Sequence, residues 1–310
     1  MQGVLTGFGV VGVVIVVGML LAHVGIADAK GQRLFARVSF MVATPALVAT
    51  MLAEADLRAL FTHHLGASIG SVALVSVIWL VLGRWVWKRS LPDLVIGTFA
   101  SSYVNAANLG LPIAAYVIGD VTAVLPMLLT QVLFLQPLGL TVLDLTMARE
   151  RREKLTPLTV LTRPFRNPIT VGAIIGVLLA VTAIELPVVL NDSLGLLGDL
   201  AVPMNLIAFG MSLRLGPRPG RGEPITQVGT IVILKLIVQP LIGYLLAAHV
   251  WHLGPAEVLA VTVIAGLPSA QNVFVIAATY NRALVLARDT VFWTTIGSIA
   301  SMFVMAVLLH

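Results

Sequence analysis

The chain has 310 residues, of which 58% are hydrophobic and only 11% are charged, with a mean hydropathy of +1.01. A soluble domain carries about 25% charged residues. This composition therefore excludes soluble enzymes, nucleic-acid-binding proteins and disordered scaffolds, and it predicts a protein surrounded mainly by lipid. The net charge of +5 has to be interpreted from the positions of the basic residues along the chain. The absence of cysteine excludes disulfides, thiol nucleophiles and thiolate metal sites.

Ten apolar segments are long enough to cross a bilayer as helices. The first has no basic region before it and no small-residue cleavage site after it, which indicates a retained helix rather than a signal peptide. The segments are too long and unbroken for the alternating strands of a barrel. The sequence thus predicts an all-α integral membrane protein with ten transmembrane helices, over residues 4–25, 34–53, 66–87, 92–119, 121–145, 168–186, 194–213, 226–248, 256–280 and 289–309.

Basic residues are concentrated on alternate loops between these spans. If the N-terminus is extracytoplasmic, 17 of the 19 lysines and arginines fall on the cytoplasmic side. The positive-inside rule therefore predicts a protein of the inner, cytoplasmic membrane with both termini extracytoplasmic. The longest loop, residues 146–167, carries six basic residues and is predicted to be a cytoplasmic linker. Contact with anionic lipid headgroups is its alternative role.

The two halves of the chain show a weak internal repeat. Gly110-Leu111-Pro112 in span four recurs as Gly266-Leu267-Pro268 in span nine, and Ala43-Thr44-Pro45 in span two resembles Ala201-Val202-Pro203 in span seven. Both offsets are close to half the chain. Since each half has five spans, the second half would enter the membrane from the opposite side. This predicts two inverted repeats, residues 1–145 and 168–310, joined by the linker.

Spans four and nine carry the signs of broken helices. Span four would reach about 42 Å as one helix, against a hydrocarbon core of about 30 Å. Proline and glycine interrupt both spans, and unwound backbone inside a membrane is tolerated where it lines a cavity. Paired breaks of this kind indicate a transporter binding site. The candidate residues around them are Asn105, Asn108, Gly110, Pro112, Pro268, Gln271 and Asn272.

Lys235 is a further candidate, because it lies roughly 14 Å from the cytoplasmic end of span eight. An ionisable residue at this depth is a functional-site candidate. The hypothesis is that Lys235 supplies positive charge near a carboxylate substrate, or titrates during transport. The alternatives are a structural pair with Asp144 and partial snorkelling.

These motifs, in this order, resemble the auxin efflux carrier family of secondary transporters, which includes bacterial malate and malonate permeases. The resemblance covers essentially the whole chain. It rests on the segment Asn105–Pro112, on Asn167-Pro168 opening span six, on Leu194–Leu213 with its central Pro203, on Lys235 with Pro240, and on Pro268, Ala270 and Asn272.

The resemblance implies ten helices in two inverted five-helix repeats, with helices four and nine crossing near the substrate. It also implies elevator-like alternating access and a homodimer. The function expected is a permease for a small organic anion such as a dicarboxylate, and not an enzyme. Export of an amino acid or of a weak aromatic acid, and sensing of such ligands without transport, are the alternatives. No cofactor, metal or nucleic-acid partner is expected; protons or sodium ions are the possible coupling ions.

Overall fold

The structure is a computed structural model that describes residues 2–54, 63–110, 113–114, 118–152 and 167–309. A short π-helical turn, Ala106–Gly110, follows the fourth of its long helices. In chain order the helices are α1 Gln2–His23, α2 Ala29–Ala53, α3 His63–Trp85, α4 Leu91–Ser102, α5 Thr122–Glu150, α6 Pro168–Thr182, α7 Val188–Leu215, α8 Ile225–Val250, α9 Pro255–Ala265, α10 Gln271–Tyr280 and α11 Leu284–Leu309.

Each of the ten predicted segments overlaps one of these helices or a pair of them. Helix α4 and the π turn fall on span four, and α9 with α10 fall on span nine. Among the described residues, five helices are long and apolar enough to cross a membrane, namely α2, α3, α5, α7 and α8. The all-helical architecture is confirmed, while ten crossings and an inverted repeat stay predictions.

Prolines distort three of the long helices in the same way. Proline lacks an N–H, and its ring clashes with the carbonyl four residues earlier, so the turn ahead of it widens. Lys235 lies in such a widened turn of α8, which therefore sets where its side chain leaves the helix. Three of the π-helical turns end two residues before a proline, namely Ser39–Ala43 before Pro45, Thr130–Leu135 before Pro137, and Leu234–Val238 before Pro240.

Glycines let two helix pairs pack with their backbones in contact. A Cβ atom added at Gly18 of α1 or at Gly210 of α7 would collide with the backbone of the other helix. The same holds for Gly172 and Gly176 of α6, which lie against the backbone of α2. Small residues are a common means of helix association in membranes, where lipid offers no hydrophobic driving force between helices. The same kind of contact therefore joins α1 to α7 and α2 to α6.

Helix α2 begins after Asp28, which lies in the loop that follows α1. The Asp28 carboxylate accepts hydrogen bonds from the backbone N–H groups of Gly31 and Lys30, at 2.8 and 2.9 Å. These bonds, chiefly the one from Gly31, hold the pKa of Asp28 below its usual range. An ionised carboxylate at this position interacts favourably with the positive, N-terminal end of the helix dipole.

Candidate functional site

Two interrupted helices cross at their interruptions. The chain leaves α4 after Ser102 and leaves α9 after Ala265, and an antiparallel β-bridge then pairs Val104 with Ser269. Two main-chain hydrogen bonds, of 2.8 and 3.1 Å, close this bridge and satisfy backbone groups that have no helical partner. They run from the N–H of Asn105 to the carbonyl of Pro268 and from the N–H of Ala270 to the carbonyl of Tyr103.

A lysine and a glutamine of α8 bind the carbonyls at which the two helices stop. The Lys235 ammonium donates to the carbonyl of Ala265, the last residue of α9, at 2.9 Å, and to Oε1 of Gln239 at 2.6 Å. The Gln239 amide in turn donates to the carbonyl of Ser102, the last residue of α4, at 3.1 Å. A cation suits the partial negative charge at a helix C-terminus. One side-chain pair thus stabilises both breaks.

The structure buries Lys235 against the backbone at the second break. Its side chain is fully buried among α8, α9 and Gln239. Asp144, the partner considered from the sequence, instead accepts a hydrogen bond from the Tyr280 hydroxyl at 2.8 Å, and the Asn167 amide donates to that hydroxyl at 3.1 Å. Lys235 is thus bonded directly to the end of α9 and, through Gln239, to the end of α4.

A cavity of about 70 Å³, called here the crossing cavity, opens beside the paired breaks. Aliphatic side chains of α2 and α5 form its apolar walls, as Val48 and Leu128 illustrate. None of the described residues that line it carries a formal charge. Its polar lining consists of Thr44, Tyr103, Asn105, Gln131, Gln136, Asn205, Gln271 and Asn272.

Three of the predicted site residues line this cavity together. Asn105 comes from the first break, while Gln271 and Asn272 begin α10 after the second. The Asn105 amide donates to Oε1 of Gln271 at 2.8 Å, which couples the two breaks through side chains as well as through the backbone. Three of the four amide residues expected at the breaks thus come together from the two halves of the chain.

Two other predicted residues, Pro268 and Gly110, have different contacts. Pro268 contributes its carbonyl to the bridge, and Gly110 packs against Val124 and Leu267. Neither residue is part of the cavity lining. The predictions for Pro112 and for the side chain of Asn108 fall outside the described part of the structure.

Several polar residues at the crossing were not predicted from the sequence. The Tyr103 hydroxyl donates to Oε1 of Gln136 at 2.7 Å, and Gln131 accepts a hydrogen bond from the N–H of Val104. The sequence does contain a signal that could have identified two of the polar residues at the crossing. Gln136 and Gln239 each directly precede a proline inside an otherwise apolar span. Both side chains are buried, and a buried polar side chain usually makes at least one hydrogen bond.

The crossing cavity offers hydrogen-bonding groups to a ligand. Within the described part of the chain, Nε2 of Gln136 and Oδ1 of Asn272 are buried without a partner. Helix α10 starts at the cavity edge with no side-chain cap at Ala270, so its first N–H groups and its dipole favour negative charge there. In the described ranges no group of three potential ligands could hold a metal ion.

Comparison with known proteins identifies the family to which the chain belongs. The chain matches the family described as "Membrane transport protein" over residues 10–306. It is also 28% identical, over 294 residues, to a protein of Rhizobium meliloti (strain 1021) named "Putative malonate transporter", and the match covers 93% of this chain and 90% of that protein. The chain thus belongs to the membrane transport proteins of the auxin efflux carrier family, and it is a multi-pass membrane protein.

Proposed function

We propose that this secondary transporter moves a small organic anion, with malonate and similar dicarboxylates as the first candidates, and that the crossing cavity is its binding site. The observation that carries the proposal is the meeting of two broken helices in a cavity lined with amides. Unwound backbone paired in this way is a common means of building transporter sites. The name of the Rhizobium relative supports malonate as the first anion to test.

The anion would be held by neutral donors and by a helix dipole. The free Nε2 of Gln136 can donate to a carboxylate oxygen, and the first N–H groups of α10 offer further donors with partial positive charge. Asn272 and Asn105 would complete the set from the two breaks. Donors fixed in place by the bridge lose little freedom when a ligand binds.

The architecture proposed is two inverted repeats of five helices, residues 1–145 and 168–310, joined by the linker 146–167. Under this repeat, span one corresponds to span six and span two to span seven. The glycine contact between α1 and α7 would then be the counterpart of the contact between α6 and α2. The pairing of the two breaks supports the same relation. Ten crossings would put both termini on the same side, and the positive-inside rule predicts that this side is extracytoplasmic.

Alternating access of the elevator type fits a site built on paired half-helices. Because the bridge and the pair Lys235–Gln239 tie the breaks together, the site would move as one body against the glycine-packed helices. Dimerisation through those helices, and coupling to protons or to sodium ions, complete the proposal. Export of an amino acid or of a weak aromatic acid is the alternative within transport.

The test is uptake of radiolabelled malonate by proteoliposomes, repeated with imposed proton and sodium gradients. Asn272→Ala removes an amide from the cavity, and we expect uptake at low malonate to fall about tenfold, the effect of one lost strong hydrogen bond. Asn191→Ala, at an exposed position of α7, is the matched control and should leave uptake unchanged.

Other results would redirect the assignment. Malonate binding without flux would favour a sensor, and chemical conversion of malonate would favour an enzyme. Flux of an amino acid or of an aromatic acid, with none of malonate, would replace the substrate class. Equal uptake by Asn272→Ala and Asn191→Ala proteins would reject the crossing cavity as the site.

A further inference from the structure

A second cavity, of about 260 Å³, lies at the other end of α10 and is called here the basic cavity. The first turns of α2, the end of α7, the end of α10 and the start of α11 form its walls. Two arginines line it, Arg33 from α2 and Arg288 from α11, together with the polar side chains of Gln32 and Asn281. Its lining therefore differs in kind from the neutral crossing cavity.

Arg288 is held rigidly at this cavity. Its side chain is 3% exposed, and its Nε donates to Oδ1 of Asp289 at 2.8 Å, while the other carboxylate oxygen accepts from the N–H of Gly220 at 2.9 Å. Nη1 lies against Gly216, where a Cβ would collide with it. Among the described residues Nη1 has no hydrogen-bond acceptor, so one edge of a buried guanidinium is available for a ligand.

Arg33 supplies the positive charge that Asp289 does not neutralise. Its side chain is exposed, its Nε donates to the carbonyl of Ala29 at 3.1 Å, and no ion pair of Arg33 occurs within the described ranges. Leu284 and Val285, in the first turn of the 26-residue helix α11, also line the cavity. Two guanidinium groups beside a long helix N-terminus attract an anion.

An aromatic pair separates the two cavities. The rings of Phe209 and Phe274 are 5.7 Å apart, edge to face, and both side chains are buried. Each ring lies one helical turn beyond a residue of the crossing cavity, since Asn205 precedes Phe209 and Ala270 precedes Phe274 by four positions. Phe274 itself lines the basic cavity. The two cavities thus lie on opposite sides of one apolar barrier along α10.

We propose that the basic cavity is a second anion site, which binds a small carboxylate at the end of α10 remote from the crossing cavity. The proposal rests on the proposed function for its link to transport, and the positive-inside rule places this cavity at the cytoplasmic end. The two arginines concentrate the anion beside the barrier, and the neutral cavity holds it on the other side. An anionic lipid headgroup offers the same chemistry as a free carboxylate.

The test is equilibrium dialysis of radiolabelled malonate against purified full-length protein. The background is Asn272→Ala, which weakens the crossing cavity and leaves the basic cavity intact. Adding Arg33→Gln should weaken the remaining binding at least fivefold, whereas Arg37→Gln should not. Arg37 is the matched control, because it is exposed, lies one turn further along α2 and does not line the cavity. Binding that depends on Arg33 should also weaken as salt rises.

A second arm separates failure of this proposal from failure of the transport proposal. If the parent protein shows no malonate uptake, the dialysis is repeated with inorganic phosphate, since a guanidinium edge accepts either oxyanion. Binding of either anion that depends on Arg33 supports the site. Equal binding by the Arg33→Gln and Arg37→Gln proteins, for both anions, overturns it even if malonate is transported.

A third arm identifies the source of the anion. The dialysis is run in nanodiscs of zwitterionic lipid and again with anionic lipid added. If anionic lipid removes the Arg33-dependent binding of malonate, a headgroup occupies the cavity in the membrane. If the binding survives, the cavity serves the free anion. Both results support an anion site at the two arginines.

Discussion

The two breaks at the crossing share the Lys235–Gln239 pair but differ in what their own sequences contribute. The second, residues 266–270, contains Gly266 and Pro268, so its own sequence disfavours a continuous helix. The first, residues 103–105, has neither glycine nor proline. It is instead held by partners distant in the chain. A helix can therefore be interrupted either by its own residues or by the side chains around it.

The contacts of the first break show how distant residues hold it. Gln131 of α5 accepts from the N–H of Val104, and Gln239 of α8 donates to the carbonyl of Ser102. These amides bind backbone groups that would otherwise bond within a continuous helix, so they stabilise the open form. The first break should consequently be sensitive to substitution of Gln131 or Gln239, and the second much less so.

The largest effect is expected for Lys235→Met, because both breaks depend on this lysine. The change leaves the Ala265 carbonyl and Oε1 of Gln239 without their donor, which costs about 3 kcal/mol. We expect a clear drop in the melting temperature in detergent and loss of most malonate uptake. Lys30→Met, at an exposed position of α2, is the control. An unchanged melting temperature would show that the lysine does not hold the breaks.

A smaller effect, confined to the first break, is expected for Gln131→Leu. The N–H of Val104 would be buried without an acceptor, at a cost of about 2 kcal/mol. Hydrogen exchange should then show faster exchange at residues 103–105 than in the parent, with residues 266–270 little changed. Equal acceleration in both segments would mean that the two breaks cannot be distinguished in this way.

The smallest effect is expected for Pro268→Ala in the second break. The substitution restores an N–H but leaves the bridge and the Lys235 contact in place, so the free energy of unfolding should fall by under about 1 kcal/mol. Thermal unfolding and malonate uptake measure this together. A loss as large as that of Lys235→Met would show that the proline, and not the surrounding contacts, keeps the segment open.

The difference between the two breaks also explains which of them could be located from the sequence. Local signals placed a break in each of spans four and nine, and the second lies where Gly266 and Pro268 put it. The first was expected within Asn105–Pro112, yet α4 already ends at Ser102. Its position depends on amides from α5 and α8, and the sequence alone does not reveal such distant partners. The burial of Lys235 could be predicted for the opposite reason, since a lone charge within an apolar run is a local feature of the sequence.

The neutral lining of the crossing cavity has a consequence for the form in which an acid is carried. A doubly charged dicarboxylate would find no formal charge there to balance its second carboxylate, and an unbalanced charge away from water is costly. A half-protonated acid fits better, because its carboxylate can accept from Gln136 and its acid hydroxyl can donate to Asn272. Uptake should then follow the abundance of the singly charged species as pH changes, so that the ligand brings its own proton across with it.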